Sequence, residues 1–283
     1  MTTISELISE GEESLKASSP SARLDSTLLL SDILKISKVG LLTGAEREVS
    51  VEDAEKYREH IQRRKNFEPV AYIIGEKEFY GLTFLVTPDV LIPRPETELL
   101  VEEALKFVSG ISGSLRILDL ATGSGCIAIS IANELKKAKR EFNIIASDIS
   151  REALIIAIEN SKRLGVSDCI EFVQSDWFSS IEISKPFHCI VSNPPYIAVG
   201  DSRVSKETAF EPKSALYSGN DGLDALRVIV EGAPKFLESG GMLACEIGDG
   251  QGELALRLSS KWATTKECLR DLAGRERVVR WVK

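Results

Sequence analysis

The chain has 283 residues, of which 43% are hydrophobic and 28% charged, a composition typical of a globular protein with room for two domains. Its formal net charge of −8 argues against a protein that holds nucleic acid mainly by releasing counterions. No apolar run approaches the length of a membrane span, and residues 1–6 lack the basic start and apolar centre of a signal peptide. We therefore expect a cytoplasmic protein that binds neither a membrane nor nucleic acid directly.

Cysteine and histidine are too sparse and too scattered to predict a metal centre. The five cysteines form no CxxC pair, and only His60 and His188 supply imidazoles. Neither a zinc site nor a disulfide framework is indicated, and a catalytic triad based on histidine is not expected. The sequence therefore predicts no metal cofactor and a reducing compartment.

Residues 1–75 show the periodicity of helices. Four apolar residues of the first segment share one face, at spacings that predict an amphipathic helix. We interpret residues 1–75 as a small all-helical N-terminal domain that docks the substrate and carries no catalytic chemistry. The four apolar residues on one face of the first helix are Ile4, Leu7, Ile8 and Leu15. Two further helices are expected at residues 24–34 and 52–64.

Residues 76–92 show a different pattern. Two short runs rich in β-forming residues flank Gly81, which predicts a β-hairpin. We expect this hairpin to connect the helical domain with a second domain, residues 93–283. The second domain is expected to begin with a helix that starts at Pro95 or Thr97.

From residue 115 onward, strand-like apolar runs alternate with amphipathic helical segments. This alternation predicts an α/β fold, in which a mostly parallel sheet has helices on both faces. Two apolar runs flank Gly274 and are expected to close the sheet as an antiparallel pair. The earlier runs end at Asp119, Asp148, Gln174, Asn193 and Gly248, and helices are expected at 124–138, 151–164, 221–238 and 250–260.

A glycine-rich turn follows the first of these strands, where Ala121, Thr122, Gly123, Ser124 and Gly125 lead into the next helix. Glycine lets a backbone approach a ligand closely, and a helix N-terminus offers it free amides. The turn lacks the Lys-Ser/Thr end of a P-loop and the full glycine spacing of a dinucleotide site. It therefore indicates either a ligand contact of another kind or a simple tight connection.

Acidic residues follow the next two strands. Asp148 lies about twenty residues beyond the turn, where a carboxylate commonly binds ribose hydroxyls. The alternative is that Asp148 caps the following helix, but Ser150 can do so instead. Asp176 and Trp177 follow the third strand and offer a carboxylate for an adenine amine and an indole for its ring. Their alternative is a capping residue beside a packing aromatic residue.

The segment Asn193-Pro194-Pro195-Tyr196 should lie at the carboxyl edge of the sheet, where open α/β sheets bind ligands. Two prolines fix two φ angles and remove two backbone donors, which leaves the Asn193 side-chain oxygen and the Pro194 carbonyl as rigid acceptors. Such a pair suits a planar NH2 group of a glutamine amide, adenine or cytosine, and Tyr196 adds an aromatic face. The alternative is a proline-stiffened turn with a capping asparagine.

Taken in order, these strand ends predict a methyltransferase with a nucleoside cofactor. Further characteristic segments are residues 91–98, 192–197, 211–212, 221–224 and 246–248. On these segments and the turn, nearly the whole chain resembles the HemK-type release factor glutamine N5-methyltransferases. The resemblance implies a class I (Rossmann-like) methyltransferase sheet, with S-adenosylmethionine as donor and S-adenosylhomocysteine as product. It implies as substrate the glutamine in the Gly-Gly-Gln motif of class-1 peptide chain release factors.

Two positions depart from the pattern of that family. Ala121 stands where a glycine usually begins the turn, and it is expected to serve if its φ angle stays negative. His188 replaces an aspartate at the start of the strand before Asn193, and we expect it to have a structural part.

The predicted reaction is a direct displacement at a sulfonium methyl group by an amide nitrogen. The Asn193 oxygen and the Pro194 carbonyl would accept the two amide N–H bonds, which aims the nitrogen and stabilises its growing positive charge. An N-protonated amide is strongly acidic, so no general base is required. The predicted catalytic residues are Asn193, Pro194 and Tyr196. Pro195 joins these three in contacting the substrate, and the predicted cofactor contacts are Ala121, Thr122, Gly123, Ser124, Gly125, Asp148, Asp176, Trp177 and Asn193.

Three other functions use similar features. An adenine or cytosine N-methyltransferase would hold a flipped base with the same tetrapeptide, but the acidic composition argues against it. A glutamine methyltransferase that acts on a ribosomal protein has a similar turn, whereas residues 94–98 favour release factors. A binding module without catalysis is disfavoured by the intact segment 193–196.

Overall fold

The computed structural model describes residues 2–182, 185–202, 204–258 and 261–283 of the chain. Their contacts divide the chain into two compact units. One unit comprises Met1–Glu76 and Ser205–Phe210, and the other comprises Lys77–Val204 and Glu211–Lys283. Within these described ranges, no helix combines the length and the apolar character that a membrane crossing requires.

The first unit is built from short helices around its own core. The four apolar residues predicted to share a face of the first helix are all buried in this core, which confirms that prediction. The first helix begins with a reciprocal capping box between Thr3 and Glu6. One short helix that contains Gly40 was absent from the predicted pattern. The elements are β1 (Thr2–Thr3), α1 (Ile4–Leu15), α2 (Ala22–Leu34), α3 (Lys38–Thr43), β2 (Glu48–Val49), α4 (Val51–Lys65) and α5 (Val70–Ile74).

A β-hairpin and a larger sheet follow in the sequence. The hairpin consists of β3 (Glu76–Phe79) and β4 (Leu82–Leu85), which turn at Gly81 as the sequence predicts. The larger sheet has seven strands in the described part of the chain. These strands are β5 (Leu115–Leu120), β6 (Phe142–Asp148), β7 (Ile170–Gln174), β8 (Phe187–Ser192), β9 (Leu237–Glu246), β10 (Thr265–Arg270) and β11 (Glu276–Val282).

The strand order of the larger sheet is β10-β11-β9-β8-β5-β6-β7. Strands β5 to β9 pair in parallel, and β10 and β11 pair antiparallel at one edge. This arrangement confirms the predicted α/β class and the antiparallel closing pair. The strand order reverses between β5 and β8, and the carboxyl ends of such a pair flank the crevice where α/β sheets bind ligands.

Helices of the second unit connect the parallel strands. The predicted helix at 221–238 ends too late, because Pro234 lacks a backbone donor and cannot continue it, and Leu237 already begins β9. The predicted helix at 250–260 spans a shorter range, and its last two residues lie outside the described residues. The helices are α6 (Glu98–Ser109), α7 (Cys126–Lys137), α8 (Arg151–Arg163), α9 (Asp224–Gly232) and α10 (Gly252–Leu258).

Two hydrophobic clusters cover the two faces of the sheet. Ile117 and Val191 belong to one cluster with residues of α6 and α7. The neighbouring positions Leu118 and Ile190 belong to the other cluster with residues of α9. Successive strand residues point to opposite faces, so these strands read as continuous apolar runs with both faces buried. Burial on both faces leaves the strand ends as the positions for functional side chains.

Candidate active site

A cavity of about 450 Å³ opens at the carboxyl ends of β5, β6, β7 and β8. Its volume falls in the range of about 300–1,000 Å³ that is typical of small-ligand sites. The predicted residues Gly125, Pro194 and Tyr196 are not part of its wall. The other predicted site residues line it, namely Ala121, Thr122, Gly123, Ser124, Asp148, Asp176, Trp177, Asn193 and Pro195.

The turn after β5 is held in a left-handed conformation. The φ angle is +57° at Ala121, +55° at Gly123 and +81° at Gly125. Ala121 therefore does not meet the condition of a negative φ angle under which alanine was expected to replace glycine in this turn. The backbone hydrogen bond from Thr122 to Ser147, 2.9 Å long, fixes the turn immediately after Ala121. A left-handed residue other than glycine costs roughly 1–2 kcal/mol, so this turn stores strain at the cavity wall.

Gly123 and Gly125 have different structural roles in the turn. At Gly123 a Cβ atom would meet nothing within 4 Å, so this backbone borders open space. At Gly125 a Cβ atom would lie 2.8 Å from Cδ1 of Ile129 and 3.1 Å from Cβ of Ala157. Gly125 therefore allows α7 and α8 to pack closely, which explains why it does not reach the cavity.

Asp119 holds the turn from inside the sheet. Its Oδ2 atom accepts a hydrogen bond of 2.6 Å from the Thr122 hydroxyl and one of 3.2 Å from the backbone of Ala128. Complete burial raises the pKa of Asp119 to about 7, although the hydrogen bonds from Thr122 and Ala128 lower this pKa. The contacts join the end of β5 to the first turn of α7.

Asp148 connects the end of β6 to the same turn. Its Oδ2 atom accepts from the backbone of Gly123 and its Oδ1 atom from the backbone of Ser150, both at 2.9 Å. As predicted, the Ser150 hydroxyl caps α8 by accepting from the backbone of Ala153 at 3.1 Å. Burial raises the pKa of Asp148, while the backbone donors lower it. Each carboxylate oxygen has two acceptor sites, so both keep capacity for a ligand hydroxyl.

Asp176 and Trp177 follow β7 at the cavity wall. Asp176 is exposed, and Trp177 is half-buried with a φ angle of +49°. The Ser175 hydroxyl donates to the Trp177 carbonyl at 2.9 Å and accepts from the backbone of Ser180 at 3.0 Å, which holds this conformation. No helix of the described residues begins directly after Asp176, so the alternative in which it is a helix cap does not apply.

The Asn193 side chain has one paired end and one unpaired end. Its Nδ2 atom donates to the Thr97 hydroxyl at 3.2 Å. Its Oδ1 atom is buried and has no hydrogen-bond partner among the residues that the structure describes. A buried acceptor without a partner costs about 1–3 kcal/mol, so it marks a position where a donor is expected to bind. Because Asn193 lines the cavity, that donor can come from a ligand.

Tyr196 contacts a buried carboxylate instead of the cavity. Its hydroxyl donates to Oε1 of Glu246 at 3.2 Å. Burial raises the pKa of Glu246 to about 7, although the nearby hydroxyls of Thr97 and Tyr196 lower it. Burial, and then the charge of Glu246, raise the pKa of Tyr196. The Tyr196 hydroxyl therefore joins the tetrapeptide loop to Glu246 at the end of β9.

Backbone contacts keep the tetrapeptide loop rigid. The Gln251 side chain donates to the Tyr196 carbonyl at 3.0 Å and accepts from the backbone of Gly248 at 2.8 Å. A Cβ atom at Gly222 would lie 2.2 Å from the Tyr196 carbonyl oxygen, so only glycine fits there. Pro194 is buried. These contacts add to the two fixed φ angles of the prolines and hold Asn193 in place.

Asn160 supports the site although the sequence did not indicate it. Its Nδ2 atom donates to the carbonyls of Ser124 at 2.9 Å and of Leu85 at 3.0 Å, and its Oδ1 atom accepts from the backbone of Leu85 at 2.7 Å. The side chain thus joins the glycine turn to the hairpin strand β4. The available signal was an asparagine on the face of α8 that carries Ala153 and Ala157.

Arg94 and Glu211 hold the segment before α6 at the cavity. They form an ion pair in which the Glu211 side chain is almost fully buried. Glu211 also accepts from the backbone of Ile92 at 3.2 Å. These contacts hold the segment that ends at Thr97 in place beside the cavity. They give a structural reason for residues 91–98, one of the segments that carry the family resemblance.

His188 has a structural part, as the sequence predicts. Its Nδ1 atom accepts from the backbone of Arg116 at 2.9 Å, across strands β8 and β5. Its Nε2 atom lies 3.5 Å from Glu238. In the described ranges no three His, Cys, Asp or Glu side chains are grouped in a way that could hold a metal ion.

Comparison with known proteins assigns both parts of the chain. Residues 96–248 match the family model of the Methyltransferase small domain, and residues 6–75 match the PrmC N-terminal domain. The fold is similar to that of the hMettl16 catalytic domain, which was solved in complex with MAT2A 3'UTR hairpin 1. The TM-score is 0.58 and the sequence identity 14%, and the match covers 91% of this chain and 92% of that chain. A methyltransferase from Pyrococcus furiosus gives a TM-score of 0.52 at 17% identity, with coverage of 80% and 97%. These identities concern the fold alone. The sheet, the cavity and the domain match define an S-adenosylmethionine-dependent methyltransferase.

Relatives of nearly the same length make the assignment more specific. The chain is 41% identical over 279 residues to the release factor glutamine methyltransferase of Leptospira interrogans, covering 96% of each protein. It is 41% identical over 280 residues to that of Pseudomonas aeruginosa, covering 98% of each. The chain belongs to the release factor glutamine methyltransferase family.

Proposed function

We propose that this enzyme transfers a methyl group from S-adenosylmethionine to the side-chain amide nitrogen, N5, of the glutamine in the Gly-Gly-Gln motif of class-1 peptide chain release factors. Membership of the family supports the substrate class. The observation that carries the proposal is the buried Oδ1 atom of Asn193 at the cavity, which has no hydrogen-bond partner among the described residues. An acceptor in that position fits a substrate that brings its own N–H donor.

The cavity wall fits a nucleoside sulfonium donor. Asp148 keeps acceptor capacity on both oxygens, which suits the two ribose hydroxyls. Trp177 supplies an aromatic face and Asp176 an acceptor, which suit the adenine ring and its amine. The open space beside Gly123 lets a ligand approach the backbone of the turn. The donor supplies an electrophilic methyl group, which leaves its sulfur as S-adenosylhomocysteine forms.

Orientation of the amide is the main contribution of the protein. Asn193 Oδ1 accepts one N–H bond of the glutamine amide at the cavity and aims its nitrogen at the methyl group. Pro194 is not part of the cavity wall, and in this scheme its carbonyl accepts the second N–H bond, as the sequence predicts. Correct orientation of reactants can supply about 7–11 kcal/mol of the barrier at most. The same two acceptors stabilise the positive charge that grows on the nitrogen as the new N–C bond forms.

Proton removal requires no dedicated base in this scheme. The methylated nitrogen is strongly acidic while it carries the extra proton, so it loses this proton to water. Tyr196 helps to hold the shape of the loop, because its hydroxyl is hydrogen-bonded to Glu246 and its carbonyl accepts a hydrogen bond from Gln251. The ring of Tyr196 therefore acts on the reaction through the shape of the loop.

Mass spectrometry of a purified class-1 release factor, after incubation with the enzyme and S-adenosylmethionine, tests the proposal. We expect one added methyl group on the glutamine of the Gly-Gly-Gln motif. Replacement of that glutamine by glutamate should abolish the mass increase, because a carboxylate has no N–H to donate. Parallel reactions contain DNA, RNA or ribosomal proteins as acceptors. Methylation of one of these in preference to the release factor, or of another residue in the glutamate variant, would overturn the proposal.

A further inference from the structure

Residues 205–210, which we call the strap, belong to the helical unit although they follow β8 in the sequence. The chain leaves the second unit after Val204 and returns to it at Glu211. The strap contains one turn of 3-10 helix, Lys206–Phe210. It lies in the sequence between the tetrapeptide loop and a later segment of the cavity wall, so residues of the helical unit hold the middle of an active-site loop.

Arg64 of α4 joins the strap to the helical unit. Its side chain is buried, and its Nη2 atom donates to Oε1 of Glu207 at 2.6 Å. Its Nε atom donates to Oδ2 of Asp25 at 2.7 Å. Asp25 is also buried and accepts from the hydroxyls of Ser19 at 2.7 Å and Ser21 at 2.9 Å. Because Asp25 neutralises the buried arginine from within the same unit, the second arm of Arg64 forms a prepared receptor for the Glu207 carboxylate.

A second charged residue of the strap contacts the same end of α4. The Nζ atom of Lys206 lies 4.5 Å from the centre of the Phe67 ring, within the range of a cation–π contact. Phe67 has a φ angle of +70°, which is uncommon for a residue other than glycine. Its backbone donates to the Arg64 carbonyl at 2.9 Å. One turn of the helical unit therefore receives both charged side chains of the strap.

The segment that follows the strap, residues 211–219, is hydrogen-bonded to the chain that leaves the tetrapeptide loop. The backbone of Ile197 donates to the Leu216 carbonyl and that of Val199 to the Gly219 carbonyl, both at 2.9 Å. These bonds place residues 211–219 beside the loop that carries Asn193. The members of this segment that line the cavity are Pro212, Ser214, Ala215, Tyr217, Ser218 and Gly219.

We propose that Arg64 is a positioning residue that holds residues 211–219, through its ion pair with Glu207, in the arrangement that receives the substrate. The inference rests on the proposed function, in which Asn193 contacts the substrate amide. The predicted cofactor contacts Asp148 and Trp177 follow β6 and β7, whereas Asn193 follows β8, on the other side of β5. The ion pair therefore acts on the substrate side of the cavity, and Arg64 itself touches no reacting atom.

The physical effect is a reduction of the conformations open to the loop before the substrate arrives. A loop that is ordered in advance spares the complex part of the entropy cost of binding. Asn193 keeps its own supports, which are the two prolines and the contacts of Gln251 with the loop. Loss of the ion pair should therefore weaken substrate binding without slowing the transfer step.

The test compares Glu207→Ala and Glu207→Gln with the unaltered full chain. Single-turnover methylation of a class-1 release factor, at increasing enzyme concentration, gives the half-saturating concentration and the maximal rate separately. Calorimetry with S-adenosylhomocysteine gives the cofactor affinity, and thermal melting reports folding. Hydrogen exchange read by mass spectrometry follows residues 205–219 without any substrate. Glu253→Ala is the matched control, because Glu253 pairs with Arg257 at an exposed site outside the cavity wall.

We expect Glu207→Ala to raise the half-saturating concentration about 3- to 10-fold, less than a buried charged hydrogen bond gives, because the Glu207 side chain is 38% exposed. The maximal rate and the cofactor affinity should stay within about twofold. Residues 205–219 should exchange about 3- to 10-fold faster. Glu207→Gln keeps an acceptor oxygen and should fall between Glu207→Ala and the unaltered enzyme, which the control should match.

Three results would overturn the inference while the proposed function stands. One is an unchanged half-saturating concentration in Glu207→Ala. Another is faster exchange confined to residues 205–210, which would show that Glu211 and the bonds of Ile197 and Val199 hold residues 211–219 without Arg64. The third is an equal loss of maximal rate and cofactor affinity, which a general loss of structure would produce. If the unaltered enzyme fails to methylate the release factor, the proposed function is refuted, and the exchange measurement still tests the ion pair.

Discussion

The side-chain amide nitrogen of Asn193 lies 3.2 Å from the hydroxyl oxygen of Thr97, a residue 96 positions earlier in the chain. The contact joins the loop after β8 to the start of α6. It leaves Asn193 Oδ1 buried at the cavity without a partner in the described part of the chain. The orientation of this one side chain is therefore central to the expected behaviour of the enzyme.

Asn193→Ala should slow methyl transfer far more than it affects folding or cofactor binding. Loss of one preorganised hydrogen-bonding group at a reacting centre costs about 3–4 kcal/mol, or roughly 100- to 1,000-fold in rate. In the free protein the variant loses the hydrogen bond from Nδ2 to the Thr97 hydroxyl, whereas Oδ1 has no hydrogen-bond partner in the described part of the chain. Single-turnover methylation, with melting temperature and cofactor affinity measured in parallel, tests this. Asn133→Ala, on α7 and away from the cavity wall, is the matched control and should keep its rate. An Asn193→Ala enzyme with undiminished turnover would contradict the amide clamp.

Asp148→Ala should weaken cofactor binding. The variant loses an acceptor for ribose hydroxyls and also the anchor of the Gly123 backbone, 2.9 Å from the carboxylate. Hydrogen bonds to charged groups contribute about 1.5–3 kcal/mol, which corresponds to roughly 10- to 150-fold in affinity. Calorimetric titration with S-adenosylhomocysteine measures the change. Asp168→Ala, at an exposed carboxylate outside the cavity wall, should bind as the unaltered enzyme does. Equal affinities of the two variants would remove Asp148 from the cofactor site.

Ala121→Gly should raise the stability of the protein slightly. At a φ angle of +57° the alanine is strained, and glycine relieves about 1–2 kcal/mol of that strain but loses about 0.5–1 kcal/mol through greater freedom of the unfolded chain. A net gain of up to about 1.5 kcal/mol in the free energy of unfolding is expected. Lys139→Gly, at a φ angle of +53° outside the cavity wall, is the control for a gain of similar size. Denaturant unfolding measures both, and a less stable Ala121→Gly variant would show that the left-handed turn is not strained at this residue.

Glu246 should make the protein less stable as the pH rises from about 5 to 7. Its folded pKa is raised to about 7 from a reference value of 4.5, so in this interval the folded state binds more protons than the unfolded state. The free energy of unfolding then falls with rising pH, by at most about 1.4 kcal/mol per pH unit for one group. Glu246→Gln cannot ionise and should show a shallower decline.

Urea unfolding at several pH values, with both proteins under the same conditions, measures this difference. Asp119 has a pKa raised to about 7 by burial, and burial also raises the pKa of Asp148, so both contribute a decline of the same sign. Because they are present in both proteins, the difference between the two curves isolates Glu246. Parallel curves would mean that Glu246 is ionised in the folded protein throughout this interval.

Several features of the site follow from local sequence alone. The face of α1, the capping of α8 by Ser150 and the antiparallel pair at the sheet edge all matched their patterns. Short apolar runs indicate where strands end, and parallel strands bring their carboxyl ends to one edge. Asp148, Trp177 and Asn193 therefore could be placed at one cavity before any contact was known.

Long-range contacts determine the hydrogen-bond partners and backbone angles at the site that local sequence patterns do not predict. A hydroxyl at Thr97 reads as a helix cap in the sequence, and only the packing of the loop after β8 beside it makes it a partner of Asn193. Asn160 reads as one polar residue on a helix, until the fold sets it between the glycine turn and β4. The left-handed φ angle of Ala121 is imposed by the hydrogen bonds on either side of the turn, against the preference of alanine. Local propensity and periodicity determine which helices and strands form and where they end. A buried polar atom has no water to bond to, so its hydrogen-bond partners must come from the protein. At this site those partners belong to segments that are distant in the chain, and only the tertiary structure brings them together.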